Sequence, residues 1–225
     1  MKTGMLSVII PAYNAELYLK EAVESVMRQR WQGDREIIIV DDASSDGTAA
    51  LAASLGCCVI RSSLRSGAAS ARNKGISAAG GEWILLLDAD DVLADDAAEA
   101  LYRPFEADPE TVAVFGKAED FVSRELSADQ AAELKPRRGS YEGILPGCSL
   151  IRRRVFDSVG LFDESLKSGE TVDWIMKLRE SDMKTARTDA VTLKRRIHLT
   201  NTGRVDRAGE MRNYAALLRK RMMNR

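Results

Sequence analysis

The chain has 225 residues, 45% of them apolar, with 33 lysines and arginines against 34 aspartates and glutamates. That length suits one large domain with a substantial core, and the near-neutral balance gives no reason to expect a nucleic acid or other polyanion as partner. Three cysteines without paired spacing, and a single histidine, exclude a disulfide framework, a zinc site and a hydrolase built on several histidines. In chain order, residues 6–10 read as a strand stopped by Pro11, and residues 15–30 as an amphipathic helix with apolar Leu19, Ala22, Val23, Val26 and Met27. Residues 36–40 form a second apolar strand, followed by a polar turn at 41–48 and an alanine-rich helix to about Leu55. Residues 57–60 are a third strand, 68–79 a helix closed by Gly80 and Gly81, and 83–87 a fourth strand. Strand and helix thus alternate four times in ninety residues, which predicts right-handed βαβ units and a parallel sheet covered by helices.

Beyond the fourth strand, residues 95–105 read as a helix and 112–115 as a strand. Residues 116–139 are charged, weakly periodic and poor in large apolar side chains apart from Phe121, Val122 and Leu126, the character of an inserted or mobile segment. Strand pattern resumes at 147–151, with helices at 153–159 and 172–179. Residues 191–197, with Lys194, Arg195 and Arg196, read as an edge strand whose charges discourage further pairing. The last stretch, 206–225, is a basic helix with apolar Met211, Tyr214, Leu217, Leu218 and Met222. It either packs on the domain or rests on anionic lipid. Nothing before the first strand reads as a secretory leader, and no apolar run approaches the roughly 20 residues that span a bilayer. The expectation is a cytoplasmic protein, at most peripheral on the inner face of the membrane.

The chemistry concentrates in two acidic turns. The fourth strand ends in Asp88-Ala89-Asp90-Asp91. Several carboxylates beside a buried strand are costly unless a cation or a hydrogen-bond network compensates them. The carboxyl end of a central strand is where α/β sheets place their ligands, and hard divalent cations prefer carboxylate oxygen. A helix cap is the plainer reading of Asp91. In the turn after the second strand, Ser44, Ser45 and Asp46 suit capping of the next helix, whereas Asp42 stands where a carboxylate can accept the N–H of a pyrimidine ring. Neither G-x-G-x-x-G nor G-x-x-x-x-G-K-[ST] is present, so any diphosphate would be handled by a cation. His198, between a strand and a polar glycine loop, is a structural residue or a Mn²⁺ ligand.

Four segments in order resemble family 2 glycosyltransferases: Ser7-Val8-Ile9-Ile10-Pro11-Ala12-Tyr13-Asn14; Ile39-Val40-Asp41-Asp42-Ala43-Ser44-Ser45-Asp46-Gly47-Thr48; residues 67–75 with Ala71-Arg72-Asn73; and residues 81–91. Residues 147–152 and Val159-Gly160-Leu161-Phe162-Asp163-Glu164 also fit, and the likeness runs from about Leu6 to Gly203. It implies an α/β fold of the GT-A type, a Rossmann-like, mostly parallel sheet flanked by helices. It also implies a nucleotide-sugar donor, a Mn²⁺ or Mg²⁺ ion, and inverting transfer to a hydroxyl of a glycan, lipid-linked glycan or peptide. A UDP-sugar is the donor expected. Carried over by position, Pro11, Ala12, Tyr13 and Asp42 hold the base and ribose, Arg72 stands near the nucleotide, and Asp88 with Ala89 faces ribose or metal. Asp90 is the principal metal ligand, with His198 as a late addition to the shell and Arg195, Arg196 and Arg204 able to neutralise the diphosphate. The expected organisation is a nucleotide-sugar half at 1–115, an acceptor and catalytic half at 116–205, and the basic helix at 206–225.

The family's general base lies in an acidic pair at the start of a helix, here within Gly169-Glu170-Thr171-Val172-Asp173-Trp174. Its usual position falls on Thr171, which leaves Asp173 and Glu170 as the candidates, with Asp173 preferred for its place beside Trp174 in a partly apolar pocket. The same departure motivates a second reading, a catalytically impaired sugar-nucleotide-binding or scaffolding protein. A phosphohydrolase using Asp88 as nucleophile ranks last, because that motif belongs after a first strand and here follows the fourth.

Overall fold

The computed structural model describes residues 3–143, 145–166 and 168–201. The tail helix expected at 206–225, the end of the glycine loop and Arg204 lie outside the described residues. The first half runs β1 (Leu6–Ala12), α1 (Leu19–Met27), β2 (Arg35–Asp41), α2 (Thr48–Ser54), β3 (Cys58–Arg61), α3 (Ala68–Ala78), β4 (Trp83–Leu86). There follow β5 (Val92–Leu93), α4 (Ala97–Ala107), β6 (Ala113–Val122), α5 (Ala128–Glu133), β7 (Ser140–Glu142), β8 (Ser149–Arg152), α6 (Arg154–Val159), α7 (Glu170–Glu180) and β9 (Thr185–Ile197).

One sheet takes the strands in the order β3-β2-β1-β4-β8-β6-β9-β5, with β7 paired to β6. The first four are mutually parallel, and β8 is antiparallel to both β4 and β6. The βαβ rhythm read from the sequence is therefore the architecture found. Alternate side chains of β1 enter opposite layers. Leu6, Val8 and Ile10 pack with α1 and α4, while Ile9 packs with α3 and, through the same cluster, Trp174 of α7. A methyl group on Gly75 of α3 would lie 2.3 Å from the Ile9 side chain, so that glycine sets how closely the helix approaches the sheet.

Four expectations are corrected. Pro11 does not stop β1, which continues to Ala12 paired with β2. The ladder to β4 ends at Ile9, so the hydrogen a proline lacks is not needed there. The first helix begins at Leu19 rather than residue 15, because the preceding residues are drawn into loop contacts described below. Residues 116–122 are not an insertion but the continuation of β6, paired with β9 and, at residues 117–119, with β7, and Ser127 and Gln130 form a capping box on α5. β9 is not an edge strand: β6 flanks it on one side and the two-residue β5 on the other.

Candidate active site

The carboxyl ends of β1, β2 and β4 open at one rim, and their loops are tied to each other through side chains. Asn14, at φ 48°, donates its N–H to Ser44 Oγ at 2.9 Å and accepts the N–H of Ser45 at 2.9 Å. The Ala15 N–H reaches Thr48 Oγ1 at 2.8 Å, and Glu16 accepts the Gly47 N–H at 2.9 Å. Asp46 serves both loops, accepting the N–H groups of Thr48 and Glu16. The cap position of α2 is Gly47, not Asp46, which acts from one residue further out on the first N–H of the helix and on the neighbouring loop. Ala43 lies at φ 64°, a left-handed conformation that costs an alanine about 1–2 kcal/mol. Next to it, the buried Asp41 carboxylate accepts the Ser44 N–H at 3.0 Å.

Asp42 is buried and its carboxylate is engaged by the loop before α3. It accepts the Ser66 N–H and hydroxyl at 2.9 and 2.8 Å and the Gly67 N–H at 2.7 Å. Gly67, at φ 89°, has the conformation that lets the chain turn into α3. Tyr13 is 41% exposed and lies under the Arg65 guanidinium, 3.8 Å from its ring centre. Just before Tyr13 in the chain, at the end of β1, Pro11 is half-buried and Ala12 is buried in the core.

Arg72, on α3, is 4% exposed and bridges two acids: Asp88 at 2.8 Å, beyond β4, and Glu170 at 2.5 Å, at the first turn of α7. Burial works against its charge, but the two carboxylates outweigh that and hold its pKa above the ordinary value. Burial pushes the Asp88 carboxyl up, Arg72 pulls it back, and Asp90 raises it again, leaving it above the usual range. The buried Asp91 is raised further, by burial and then by Asp90 and Asp88. Asp91 does not cap a helix. Its carboxylate accepts the backbone N–H of Arg196 at 2.8 Å, and α4 starts only at Ala97.

His198 meets Asp90 across the rim, with Nε2 2.9 Å from Oδ2 and Nδ1 3.0 Å from Thr200 Oγ1. The structure thus joins two of the expected metal ligands that lie 108 positions apart in sequence. Among the described residues no group of three histidine, cysteine, aspartate or glutamate side chains stands ready to hold a metal alone. Asp90 and His198, with Asp88 on the same turn, nevertheless fit an ion that takes few protein ligands and completes its shell from a diphosphate. On α7, Asp173 is 5% exposed with Lys177 Nζ at 2.8 Å, one turn beyond Glu170.

Three contributors were not assigned these places from sequence. Arg196 was read as a solvated or diphosphate-facing charge, but it is 3% exposed and points inward. Its guanidinium donates to the Asp90 carbonyl at 2.7 Å and to Glu21 at 2.5 Å, between the rings of Tyr18 and Phe121. Asn201 accepts the His198 N–H at 2.7 Å and donates to the Arg196 carbonyl at 3.1 Å. Tyr18 packs on His198 with ring centres 4.8 Å apart and the planes tilted by 43°, and its hydroxyl, bonded to Glu125, is pushed up to about 12 by burial and by that carboxylate. The only sequence signal for them was proximity to motif residues.

Residues 7–160 match the family model described as glycosyl transferase family 2. That is more than half the chain, and the chain belongs to this family. It is 30% identical over 180 residues to the glycosyltransferase GlyG of Streptococcus pneumoniae, covering 69% of this chain and 59% of that protein. It is also 30% identical over 241 residues to an uncharacterized glycosyltransferase of Rickettsia typhi, covering 95% of this chain and 70% of that one. Among solved structures, S. aureus TarS in complex with UDP-GlcNAc superposes with a TM-score of 0.70 at 21% identity, over 89% of this chain and 60% of that chain. The fold is therefore GT-A, and the chain spans about 60% of the length of GlyG and of that TarS chain. Among the described residues no helix is long and apolar enough to cross a membrane.

Proposed function

We propose that this chain is an inverting glycosyltransferase that moves a sugar from a UDP-sugar to a hydroxyl of a glycan, lipid-linked glycan or peptide. The observation that carries the reading is the meeting of Asp88, Asp90, Arg72, Glu170 and His198 at the rim where β1, β2 and β4 end. TarS, the structural neighbour, is described in complex with UDP and with UDP-GlcNAc, which supports a uridine nucleotide as the donor. Pro11, Ala12 and the exposed ring of Tyr13 form the wall against which base and ribose lie. Asp42 holds the 66–67 turn that faces them, leaving its remaining acceptor capacity for the base.

Asp90 and His198, with Asp88 beside them, would hold Mn²⁺ or Mg²⁺. Bound there, such an ion supplies Lewis-acid stabilisation of the diphosphate leaving group. Arg72 keeps Asp88 and Glu170 apart and oriented. The general base that takes the acceptor proton is Glu170 rather than Asp173. Glu170 is coupled through Arg72 to Asp88, whereas Asp173 is almost fully buried and carries Lys177. All three cysteines are free, which supports a reducing, cytoplasmic setting. Any contact with the inner face of the membrane would fall to residues 206–225.

The test is thermal stability against UDP, GDP, dTDP and CDP, with and without Mn²⁺. A nucleotide present at about 100 times its Kd stabilises by about 2.7 kcal/mol. The expected result is a Mn²⁺-dependent shift with UDP that Asp90→Ala abolishes. A silent protein overturns the reading. A shift without turnover of any donor selects the impaired, nucleotide-binding alternative that Thr171 suggests.

A further inference from the structure

A second concavity, of about 400 Å³, lies beside α7 between the β6–β7 hairpin and the first part of β9. Its size is within the range of small-molecule sites, and no residue of the cluster above lines it. One wall is apolar: Phe115 of β6 with Ile175 and Leu178 of α7. The rest of the lining carries charges of both signs, with Glu142 and Asp189 as acceptors and Arg187 and, on α7 itself, Arg179 as donors. Arg187 pairs with Glu142, and Asp189 receives Lys117 at 2.7 Å. Arg179 is exposed at the rim.

The sheet is opened at this place. β6 and β9 pair continuously from Ala118 to Val122 and again from Ala113 to Phe115, but the register shifts between Phe115 and Lys117, where Thr188, Asp189 and Ala190 bulge from β9, and again between Lys117 and Ala118. Such a bulge gives up ladder hydrogen bonds and re-aims side chains, and is found preferentially next to functional sites. Here it brings Thr188 and Asp189 to the cavity wall. Phe115 pairs with Ser149, whose strand pairs with β4, so the cavity opens toward the same end of the sheet as Asp88 and Asp90. α7 belongs to both places: Glu170 stands at the donor rim, and Ile175, Leu178 and Arg179 at the cavity.

We infer that this cavity is a subsite for a neutral pyranose ring, occupied by a sugar unit of the acceptor that is not the one receiving the transferred group. The ligand class follows from the walls. An acyl chain would strand four charged groups against hydrocarbon. A phosphate would face the Glu142 and Asp189 carboxylates. A sugar ring presents an apolar C–H face to the half-buried Phe115, over the buried Ile175 and Leu178, and hydroxyls that both donate to carboxylates and accept from guanidinium groups. As an acceptor subsite the inference rests on the glycosyltransferase reading. As a sugar-binding cavity it does not.

The experiment is methyl-labelled NMR of the full chain, following Ile175, Leu178 and separately Ile9. The probes are methyl glycosides of glucose, galactose, N-acetylglucosamine and rhamnose, inorganic phosphate, and UDP with Mn²⁺. At least one glycoside is expected to move the Ile175 and Leu178 methyls saturably without moving Ile9. The loss of one hydrogen bond in Arg179→Ala or Asp189→Asn should then weaken it about tenfold. Both side chains are exposed, so folding of these variants is checked by an unchanged Ile9 signal. No movement with any glycoside at the solubility limit, movement with phosphate alone, or affinities unaltered in both variants each overturns the inference. Failure of UDP to bind overturns the donor reading and leaves the sugar result standing, so the two failures are distinguishable.

Discussion

The two sides of the β4 terminus are built differently. On the β1–β2 side, loop is fastened to loop by uncharged or singly charged side chains bonding backbone N–H groups: Asn14, Ser44, Asp46, Thr48 and Asp42. On the β8–β9 side, the fastenings are ion pairs and ring contacts between elements distant in sequence, such as Arg72 with Glu170 and Arg196 with Glu21. The first arrangement makes a rigid floor, because each bond fixes a main-chain atom. The second fixes charges relative to one another, and a ligand that alters the charge at the rim acts directly on it. A donor site needs the floor, and a reaction that develops charge on a leaving group needs the adjustable side.

The sharpest way to break the comparison is at its meeting point. Asp90→Ala removes the acid that faces His198, and transfer should fall by about 10³-fold, as for loss of a group that stabilises transition-state charge. Folding should persist, checked by an unchanged circular dichroism spectrum, because the side chain is about one-third exposed. Arg72→Met acts on the adjustable side alone. It leaves Asp88 and Glu170 without their shared cation, a loss of about 3–5 kcal/mol for a buried pair. At 2–4 °C per kcal/mol for a domain of this size, the melting temperature should drop by about 6–20 °C, and Arg72→Lys should recover only part of it. A fall as small as that of a surface substitution would mean the bridge is not what joins α7 to the donor rim.

How far these regions were legible follows from the same difference. β1 to β4 and their helices were readable because apolar strands and alanine-rich helices are local patterns. The bond from Asp46 to the start of α2 could be read in outline because Thr48 lies two residues away, although the cap position itself fell to Gly47. β6 was cut short at Gly116 because glycine followed by Lys117, Glu119 and Asp120 reads as loop, whereas pairing to both β7 and β9 holds it as strand. Arg196 misled for the opposite reason. Three consecutive basic residues look solvated, yet this guanidinium finds a carbonyl, a hydroxyl, a carboxylate and two rings within one pocket, partners up to 175 positions away. No periodicity announces contacts at that range. The His198–Asp90 pairing, at 108 positions' separation, could be anticipated only through the family likeness.

The floor can be probed at graded depth. Asp42→Asn keeps the shape but exchanges a carboxylate that accepts three donors for an amide that can accept at one oxygen, a loss of about 1.5–3 kcal/mol for charge-assisted bonds. Denaturant unfolding should register that loss, and UDP affinity should weaken with it, since the 66–67 turn is released. Intact UDP binding in a destabilised variant would separate Asp42's structural task from any contact with the base.

The smallest effect, and the one whose pH dependence is fixed in sign, belongs to Asp46. Burial works to raise its pKa, but the Thr48 hydroxyl and the N–H groups of Thr48 and Glu16 outweigh it and hold the carboxyl below its ordinary 3.8. A carboxyl depressed by folding stabilises the fold fully above its unfolded value, and that stabilisation disappears as the pH falls through the folded value. Because the group is exposed, its worth is discounted to about 0.5–1 kcal/mol. Asp46→Asn should therefore lower the melting temperature by about 1–4 °C at pH 7, with the gap to wild type closing as the pH falls below 3.8 and on through the folded value. A gap that persists unchanged in acid would show that the amide disturbs the geometry of the two loops, and that the charge on Asp46 is not what fastens them.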